Sequence, residues 1–250
     1  MLTAFAGGSV FGERWGDGPP AVVWLHGWGR SSADFRPAAS ALLERGISSI
    51  AVDLPGFGSS PSPSQPTGAR GYADLIAPVL EEVTDGREIV LVGHSFGGRI
   101  AAVLASEPLS SLRGVVFTGA PLIRPTGVTT KSPMPYRVIR ALAKWQLVSS
   151  DRLELARKKY GSADYAAATG VMRDVLVRTV NESYEVELQK IRVTTIFVWG
   201  GEDRDVPPVI AEHAARLMSA RNEIRVEREC GHLLPRERPL ALVDAVMDLL

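Results

Sequence analysis

One stretch of the chain joins an apolar strand to a helix through a single serine. The apolar run 89–92 predicts a strand, and the alanine-rich segment 99–105 predicts a helix. Between them lies Gly93-His94-Ser95-Phe96-Gly97, in which glycines flank the serine on both sides. A turn this sharp strains the serine backbone and exposes its hydroxyl at the carboxyl end of a sheet. Ser95 is therefore the candidate nucleophile, and the alternative is a loop serine in a glycine-rich turn.

Other apolar runs alternate along the chain with helical patterns. Residues 21–25 form a continuous apolar run, which is typical of a strand that is buried on both faces. Further strands are predicted at residues 47–52, 115–118, 194–199 and 222–226. Residues 2–15 are mixed in character and predict one or two short antiparallel strands. Because strands alternate with helices, we predict an α/β fold with a mostly parallel, doubly wound sheet.

The pattern changes between residues 121 and 187, where short helical segments replace strands. An insertion between two core strands would lie over the carboxyl ends of the sheet, beside Ser95. We therefore predict a core made of residues 1–121 and 188–250, with a helical cap or lid at 122–187. Between Pro121 and Arg178 this insertion carries eleven basic and four acidic residues. The excess fits a solvated helical face or, alternatively, a cap that attracts anionic substrates.

Composition narrows the class of protein. The 250 residues are 45% hydrophobic and carry 28 basic and 28 acidic side chains, which suits one globular domain without a general nucleic-acid-binding surface. The single cysteine, Cys230, excludes intrachain disulfides and cysteine-cluster metal sites, and we expect neither a metal nor another cofactor. The first eight residues lack a signal-peptide pattern, and no apolar run reaches membrane-spanning length. We expect a cytoplasmic protein with a small-molecule partner, and the sequence gives no signal for an oligomeric state.

A serine hydroxyl needs a general base, and the chain contains four histidines. His26 and His94 lie inside other motifs, and His213 lies in a polar helical segment. His232 instead follows the last predicted strand and precedes the final helix, where a loop can bring a base to the sheet edge. His232 is therefore the candidate base, and the alternative is a loop histidine that only bonds to backbone.

The base needs an orienting acid. The segment after the strand 194–199 offers Glu202, Asp203 and Asp205, whereas the residues after the strand before it include no carboxylate. We favour Asp203 as the acid. Asp205 lies closer to Pro207, so we expect it to cap the helix that starts there.

Charge that develops on a substrate carbonyl oxygen needs donors that are already in place. The backbone N–H of Phe96 opens a helix, and the N–H of Trp28 lies in the turn after the strand 21–25. We predict these two groups as the oxyanion hole. Trp28, Phe96, Leu122 and Tyr136 are also predicted to line an apolar acyl pocket, with core packing as the alternative for each.

Taken together, these motifs resemble the α/β-hydrolase superfamily. The resemblance rests on the order Ser95, Asp203, His232 and on three further motifs, namely His26-Gly27-Trp28-Gly29, Asp53-Leu54-Pro55-Gly56-Phe57-Gly58-Ser59 and Gly200-x-x-Asp203-x-x-Val206-Pro207. It implies that Ser95 is the nucleophile, His232 the base and Asp203 its acid. It also implies that the N–H groups of Trp28 and Phe96 bind the oxyanion, and that the motif starting at Asp53 is structural.

Three functions follow from this resemblance. The first is a serine hydrolase that cleaves a carboxylic ester, thioester or amide through an acyl-enzyme. The second is a carbon–carbon bond hydrolase of diketone-type substrates that uses the same site. The third is a non-catalytic ligand-binding protein on a hydrolase fold, although such members usually lack one of the residues that this chain retains. A nucleophilic aspartate is excluded because Ser95 occupies its position.

Overall fold

The computed structural model describes residues 1–124, 149, 152 and 163–250, and eight strands of this part form one sheet. The strands are β1 (Leu2–Phe5), β2 (Val10–Trp15), β3 (Val22–Leu25), β4 (Ser49–Asp53), β5 (Ile89–His94), β6 (Leu112–Thr118), β7 (Thr194–Gly200) and β8 (Asn222–Glu227). Their order across the sheet is β1-β2-β4-β3-β5-β6-β7-β8. Only the β1–β2 and β2–β4 pairs among these strands are antiparallel. The predicted mostly parallel sheet is therefore confirmed.

Helices cover both faces of the sheet. Those in the described residues are α1 (Arg36–Leu43), α2 (Ala69–Thr84), α3 (Phe96–Ser106), α4 (Ala163–Ala167), α5 (Gly170–Thr179), α6 (Glu185–Lys190), α7 (Val209–Leu217), α8 (Leu234–Glu237) and α9 (Pro239–Met247). Successive strand residues alternate between two apolar cores, because side chains of a strand point to opposite faces. Leu91 packs in the core that includes α2 and α3, whereas Val90 and Val92 pack in the core that includes α1 and α9. The doubly wound arrangement follows from this alternation.

The segment between β6 and β7 contains α4, α5 and α6. Its two ends are tied together, since the Tyr184 N–H donates a hydrogen bond to the Leu122 carbonyl at 2.9 Å. The Arg99 guanidinium, on the first turn of α3, also donates to the Thr179 carbonyl at the end of α5. Much of the predicted cap at 122–187 lies outside the described residues, so the cap stays a prediction.

None of the helices in the described segments combines the length and the apolar character that crossing a membrane requires.

Candidate active site

Ser95 lies at the turn between β5 and α3 in a strained backbone conformation, with φ 50° and ψ −109°. The two flanking glycines make this turn possible. A Cβ atom on Gly93 would lie 2.6 Å from the Cα of Gly98, and one on Gly97 would lie 2.1 Å from the carbonyl oxygen of Leu25. Any side chain at these two positions would push α3 away from the sheet. The glycine spacing in the sequence therefore reflects close backbone packing beneath Ser95.

The structure brings Ser95, His232 and Asp203 together from three separate loops. Nε2 of His232 lies 3.1 Å from the Ser95 hydroxyl oxygen, and Nδ1 lies 2.8 Å from Oδ2 of Asp203. Gly119, with φ 55°, makes room for the imidazole, because a Cβ there would lie 3.0 Å from Cε1 of His232. The three side chains thus form one continuous row of hydrogen bonds that ends at the Ser95 hydroxyl.

Asp203 is held from both of its carboxylate oxygens. The side chain is buried, and Oδ1 accepts hydrogen bonds from the backbone N–H groups of Asp205 at 3.0 Å and Val206 at 2.8 Å. Oδ2 is left for His232. The backbone of the turn therefore fixes the orientation of the Asp203 carboxylate independently of its hydrogen bond to His232.

Asp205 does not cap the following helix, and that prediction is wrong. Helix α7 starts at Val209, its N-cap residue is Pro208, and no side chain bonds to its first turn. Val209 lies four positions after Asp205, whereas a capping residue directly precedes the first residue of its helix. The Asp205 side chain instead stays exposed, and the residue lines the cavity above Ser95.

Two other histidines lie beneath the site and are buried and neutral. Nε2 of His26 accepts a hydrogen bond from the Leu54 N–H at 2.9 Å, and burial lowers the pKa of His26 to about 4. Burial and the neighbouring His232 lower the pKa of His94 to about 3, while its Nδ1 donates to the Thr118 carbonyl at 3.1 Å. Their role is to support the loops around Ser95. No local pattern in the sequence predicts this role, because the bonded residues Leu54 and Thr118 lie 28 and 24 positions away along the chain.

The turn after β3 carries Trp28 beside the α3 N-terminus. The indole packs edge-on against Phe57 and Phe96, with ring centroids 4.9 and 5.4 Å apart. Gly29 has φ 67°, and the Arg30 N–H closes the turn onto the Gly27 carbonyl at 3.2 Å. Within the described residues, the backbone N–H groups of Trp28 and Phe96 have no hydrogen-bond acceptor.

A cavity of about 480 Å³ opens above Ser95. It is lined by Gly27, Trp28, Arg30, His94, Ser95, Asp164, Asp205, Val206, His232 and Leu233. Of the residues predicted to contact an acyl chain, Trp28 lines this cavity, Phe96 and Leu122 are buried in the core, and Tyr136 lies outside the described residues. Sequence reasoning missed Arg30, although it directly follows the Gly27-Trp28-Gly29 turn.

A somewhat larger cavity, of about 540 Å³, lies at the opposite edge of the sheet, where β7 and β8 begin. Its arginine Arg225 is paired with Glu223 and Asp248. The residues that line it include no histidine, cysteine or serine. Nucleophile and base therefore meet in the cavity above Ser95 and not in this one.

Asp203, Asp205 and His232 also offer three possible metal ligands, whose atoms lie within 4.8 Å of one another. Asp203 and His232 already satisfy each other through their 2.8 Å hydrogen bond. A cation would have to displace the proton in that bond, so the set suits proton transfer better than metal binding.

A mostly parallel sheet with a serine at a strand-to-helix turn defines the α/β-hydrolase class of fold. The model of the Alpha/beta hydrolase family matches residues 22–245, and the chain belongs to that family. The resemblance stated from the sequence is confirmed.

Three known proteins illustrate the relationship. The chain is 28% identical, over 263 aligned residues, to the 2-hydroxy-6-oxononadienedioate/2-hydroxy-6-oxononatrienedioate hydrolase of Escherichia coli K12, with 94% of this chain and 88% of that enzyme covered. A bromoperoxidase from Bacillus anthracis has a similar structure, with a TM-score of 0.75 at 20% identity and coverage of 100% of this chain and 99% of that one. An esterase from Exiguobacterium antarcticum has a TM-score of 0.74 at 21% identity, with coverage of 99% of this chain and 98% of that one. Both solved structures share the fold of this chain.

Proposed function

We propose that this α/β hydrolase is a serine hydrolase that cleaves a carboxylic ester, thioester or amide through an acyl-enzyme. One observation carries the proposal, namely the row of hydrogen bonds from Asp203 through His232 to the Ser95 hydroxyl, with lengths of 2.8 and 3.1 Å. A hydroxyl becomes a competent nucleophile when a positioned base takes its proton, and the base is effective when an acid fixes its tautomer.

In the first step Ser95 attacks the substrate carbonyl carbon and His232 accepts the hydroxyl proton on Nε2. The hydrogen bond from Nδ1–H to Asp203 assigns the ring proton to Nδ1, which leaves the Nε2 lone pair directed at Ser95. The buried carboxylate then stabilises the imidazolium that forms. Because the turn holds Asp203 by two backbone N–H groups, the acid needs no reorganisation during this step.

The N–H groups of Phe96 and Trp28 stabilise the negative charge that develops on the carbonyl oxygen by donating hydrogen bonds to it. Two features support this role, since both groups lack an acceptor in the described residues and Phe96 opens helix α3. The aromatic packing of Trp28 against Phe57 and Phe96 fixes the turn that carries one of the two donors.

Collapse of the tetrahedral intermediate breaks the bond to the leaving group, which takes its proton from His232. A water molecule then repeats the sequence on the acyl-enzyme. His232 accepts a proton from the water, and Ser95 leaves with that proton as the acid is released. His26 and His94 take no part as bases, because burial lowers their pKa values to about 4 and about 3, which makes both rings weak proton acceptors, and because both are engaged in other hydrogen bonds.

A second candidate function is hydrolysis of a carbon–carbon bond in a diketone-type substrate. It is favoured by the similarity to the Escherichia coli hydrolase named above, which spans 94% of this chain. The same serine, base and oxyanion donors would serve there, so the site geometry does not separate the two functions.

A substrate panel tests both candidates. Purified protein and the Ser95→Ala variant are assayed with aryl esters, thioesters, amides and vinylogous 1,5-diketones. We expect the wild-type protein to cleave an ester and the Ser95→Ala variant to lose this activity. Cleavage of the diketones alone would establish the second candidate. Binding of ligands by a protein that cleaves none of them would instead favour a binding protein on a hydrolase fold.

A further inference from the structure

We propose that Arg30 binds a carboxylate carried by the acyl part of the substrate, so that esters of dicarboxylic acids are preferred over neutral esters. This inference rests on the proposed hydrolase function and names its substrate class.

The Arg30 guanidinium is a fixed group in the wall of the cavity above Ser95. Its Nε and Nη2 donate to the two carboxylate oxygens of Asp34 at 2.6 and 2.7 Å, and Asp34 itself is buried. This two-point contact fixes the plane of the guanidinium. The third nitrogen, Nη1, has no hydrogen-bond partner among the described residues. A guanidinium held in this way loses little conformational freedom when it binds an anion.

The positive charge of Arg30 acts inside the cavity, which His94 also lines. Burial is the main reason for the low pKa of His94, and the positive charge of Arg30 adds to the effect. Arg30 therefore contributes positive charge to the cavity wall, together with the Nη1 donor that its two bonds to Asp34 leave unoccupied.

Two carboxylates also lie in the cavity, namely those of Asp164 and Asp205. They would repel an anionic group of the substrate, whereas Arg30 is the only arginine or lysine among the described residues that line the cavity. A substrate carboxylate therefore binds at Arg30, and we assign it to the acyl chain, the part of the substrate that stays bound to Ser95.

A pair of esters that differ only in charge tests the proposal. Monophenyl adipate and phenyl hexanoate share a six-carbon acyl chain and a leaving group, but only the former carries a carboxylate. The Arg30→Gln variant can still donate a hydrogen bond to Asp34 and loses the charge. We expect its kcat/KM to fall about tenfold to a hundredfold for monophenyl adipate, and less than about threefold for phenyl hexanoate.

Arg36→Gln is the matched control, because Arg36 pairs with Glu13 and does not line the cavity. It should leave the ratio of kcat/KM for the two esters unchanged. An equal fall for both esters in Arg30→Gln would overturn the proposal, since Arg30 would then only brace the Trp28 turn. No fall for either ester would overturn it as well.

A binding measurement separates this proposal from the proposed hydrolase function. Calorimetric titration of Ser95→Ala with monophenyl adipate should give a Kd about tenfold lower than titration of Ser95→Ala/Arg30→Gln. Equal affinities would overturn the anion site even if wild type hydrolyses esters. A Kd difference in a protein whose wild type cleaves neither ester would support the anion site and contradict the hydrolase function.

Discussion

The two buried histidines should make the stability of this protein fall as the pH is lowered from about 7.5 to about 5.5. His26 and His94 have pKa values of about 4 and about 3 in the folded protein, whereas an ordinary histidine titrates at 6.5. Below 6.5 the unfolded chain therefore binds protons that the folded chain does not bind. The free energy of unfolding must fall with pH in this range, and the fall continues until the folded-state pKa values are approached.

The magnitude follows from the difference in proton binding. One pH unit below 6.5, each histidine favours the unfolded state by between about 1 and 2 kcal/mol. The two together should lower the free energy of unfolding by about 3 kcal/mol between pH ~7.5 and pH ~5.5. Such a loss is a large fraction of the stability of a typical domain. Protonation of His26 would in addition remove the acceptor for the Leu54 N–H.

Urea unfolding measures this effect, with the fluorescence of the buried Trp24 and Trp199 as the signal. The His26→Gln and His94→Gln variants each remove one titrating group, so each should lose about half of the pH dependence. His213→Gln is the control, because His213 is exposed, and it should keep the full dependence. Equal stability of wild type at both pH values, or full dependence in both buried-histidine variants, would refute the reasoning.

Three further predictions concern single residues. Asp203→Asn should lower kcat about ten-thousandfold through loss of tautomer control, whereas Asp205→Asn should lower it less than about tenfold; steady-state kinetics in which Asp205→Asn is the inactive variant would contradict the assignment. Gly97→Ala places a Cβ 2.1 Å from the Leu25 carbonyl oxygen and should lower the free energy of unfolding by about 1–3 kcal/mol in urea titrations, so an unchanged midpoint would argue against close packing there. Cys230 is buried, and burial together with the nearby Glu237 raises the pKa of its thiol to about 12. It should react with a disulfide reagent at pH ~8 only after unfolding, and an immediate reaction of the native protein would contradict this prediction.

The sheet could be predicted because its strands are buried on both faces. All residues of β3 and β5 are buried, so β3 and residues 89–92 of β5 appear in the sequence as continuous apolar runs. The turn at Ser95 could be predicted for a similar reason, since two close backbone contacts require Gly93 and Gly97. In both cases a local pattern reflects a local physical requirement.

The prediction that Asp205 caps the helix was wrong. Asp203 and Asp205 lie two positions apart in one turn, and their positions in the sequence do not tell which hydrogen bonds each carboxylate accepts. Position in the sequence favoured Asp205 as the cap, but the helix starts at Val209, after two prolines. The hydrogen bond between Asp203 and His232 joins residues 29 positions apart, which only the fold brings together. The hydrogen bond between His26 and Leu54, 28 positions apart, could not be predicted either, because only the fold brings these two residues together.

The ion pair between Arg30 and Asp34 is one that the sequence pattern could have predicted. Arg30 and Asp34 are four positions apart, which is a common spacing for an ion pair. The part that required the structure is that Arg30 lines the same cavity as Ser95. A charge in that position matters for substrate choice, whereas the same ion pair on an open surface would contribute little.

Labelling of Ser95 by a fluorophosphonate tests the central claim most directly. The reagent forms a covalent bond only with a serine that a neighbouring base activates, and here that base is His232 at 3.1 Å. Intact-mass and peptide mass spectrometry should find one adduct, on Ser95, in wild type. The adduct should be absent from Ser95→Ala and strongly reduced in His232→Gln. An adduct on another serine, or undiminished labelling of Ser95→Ala, would contradict the proposed mechanism.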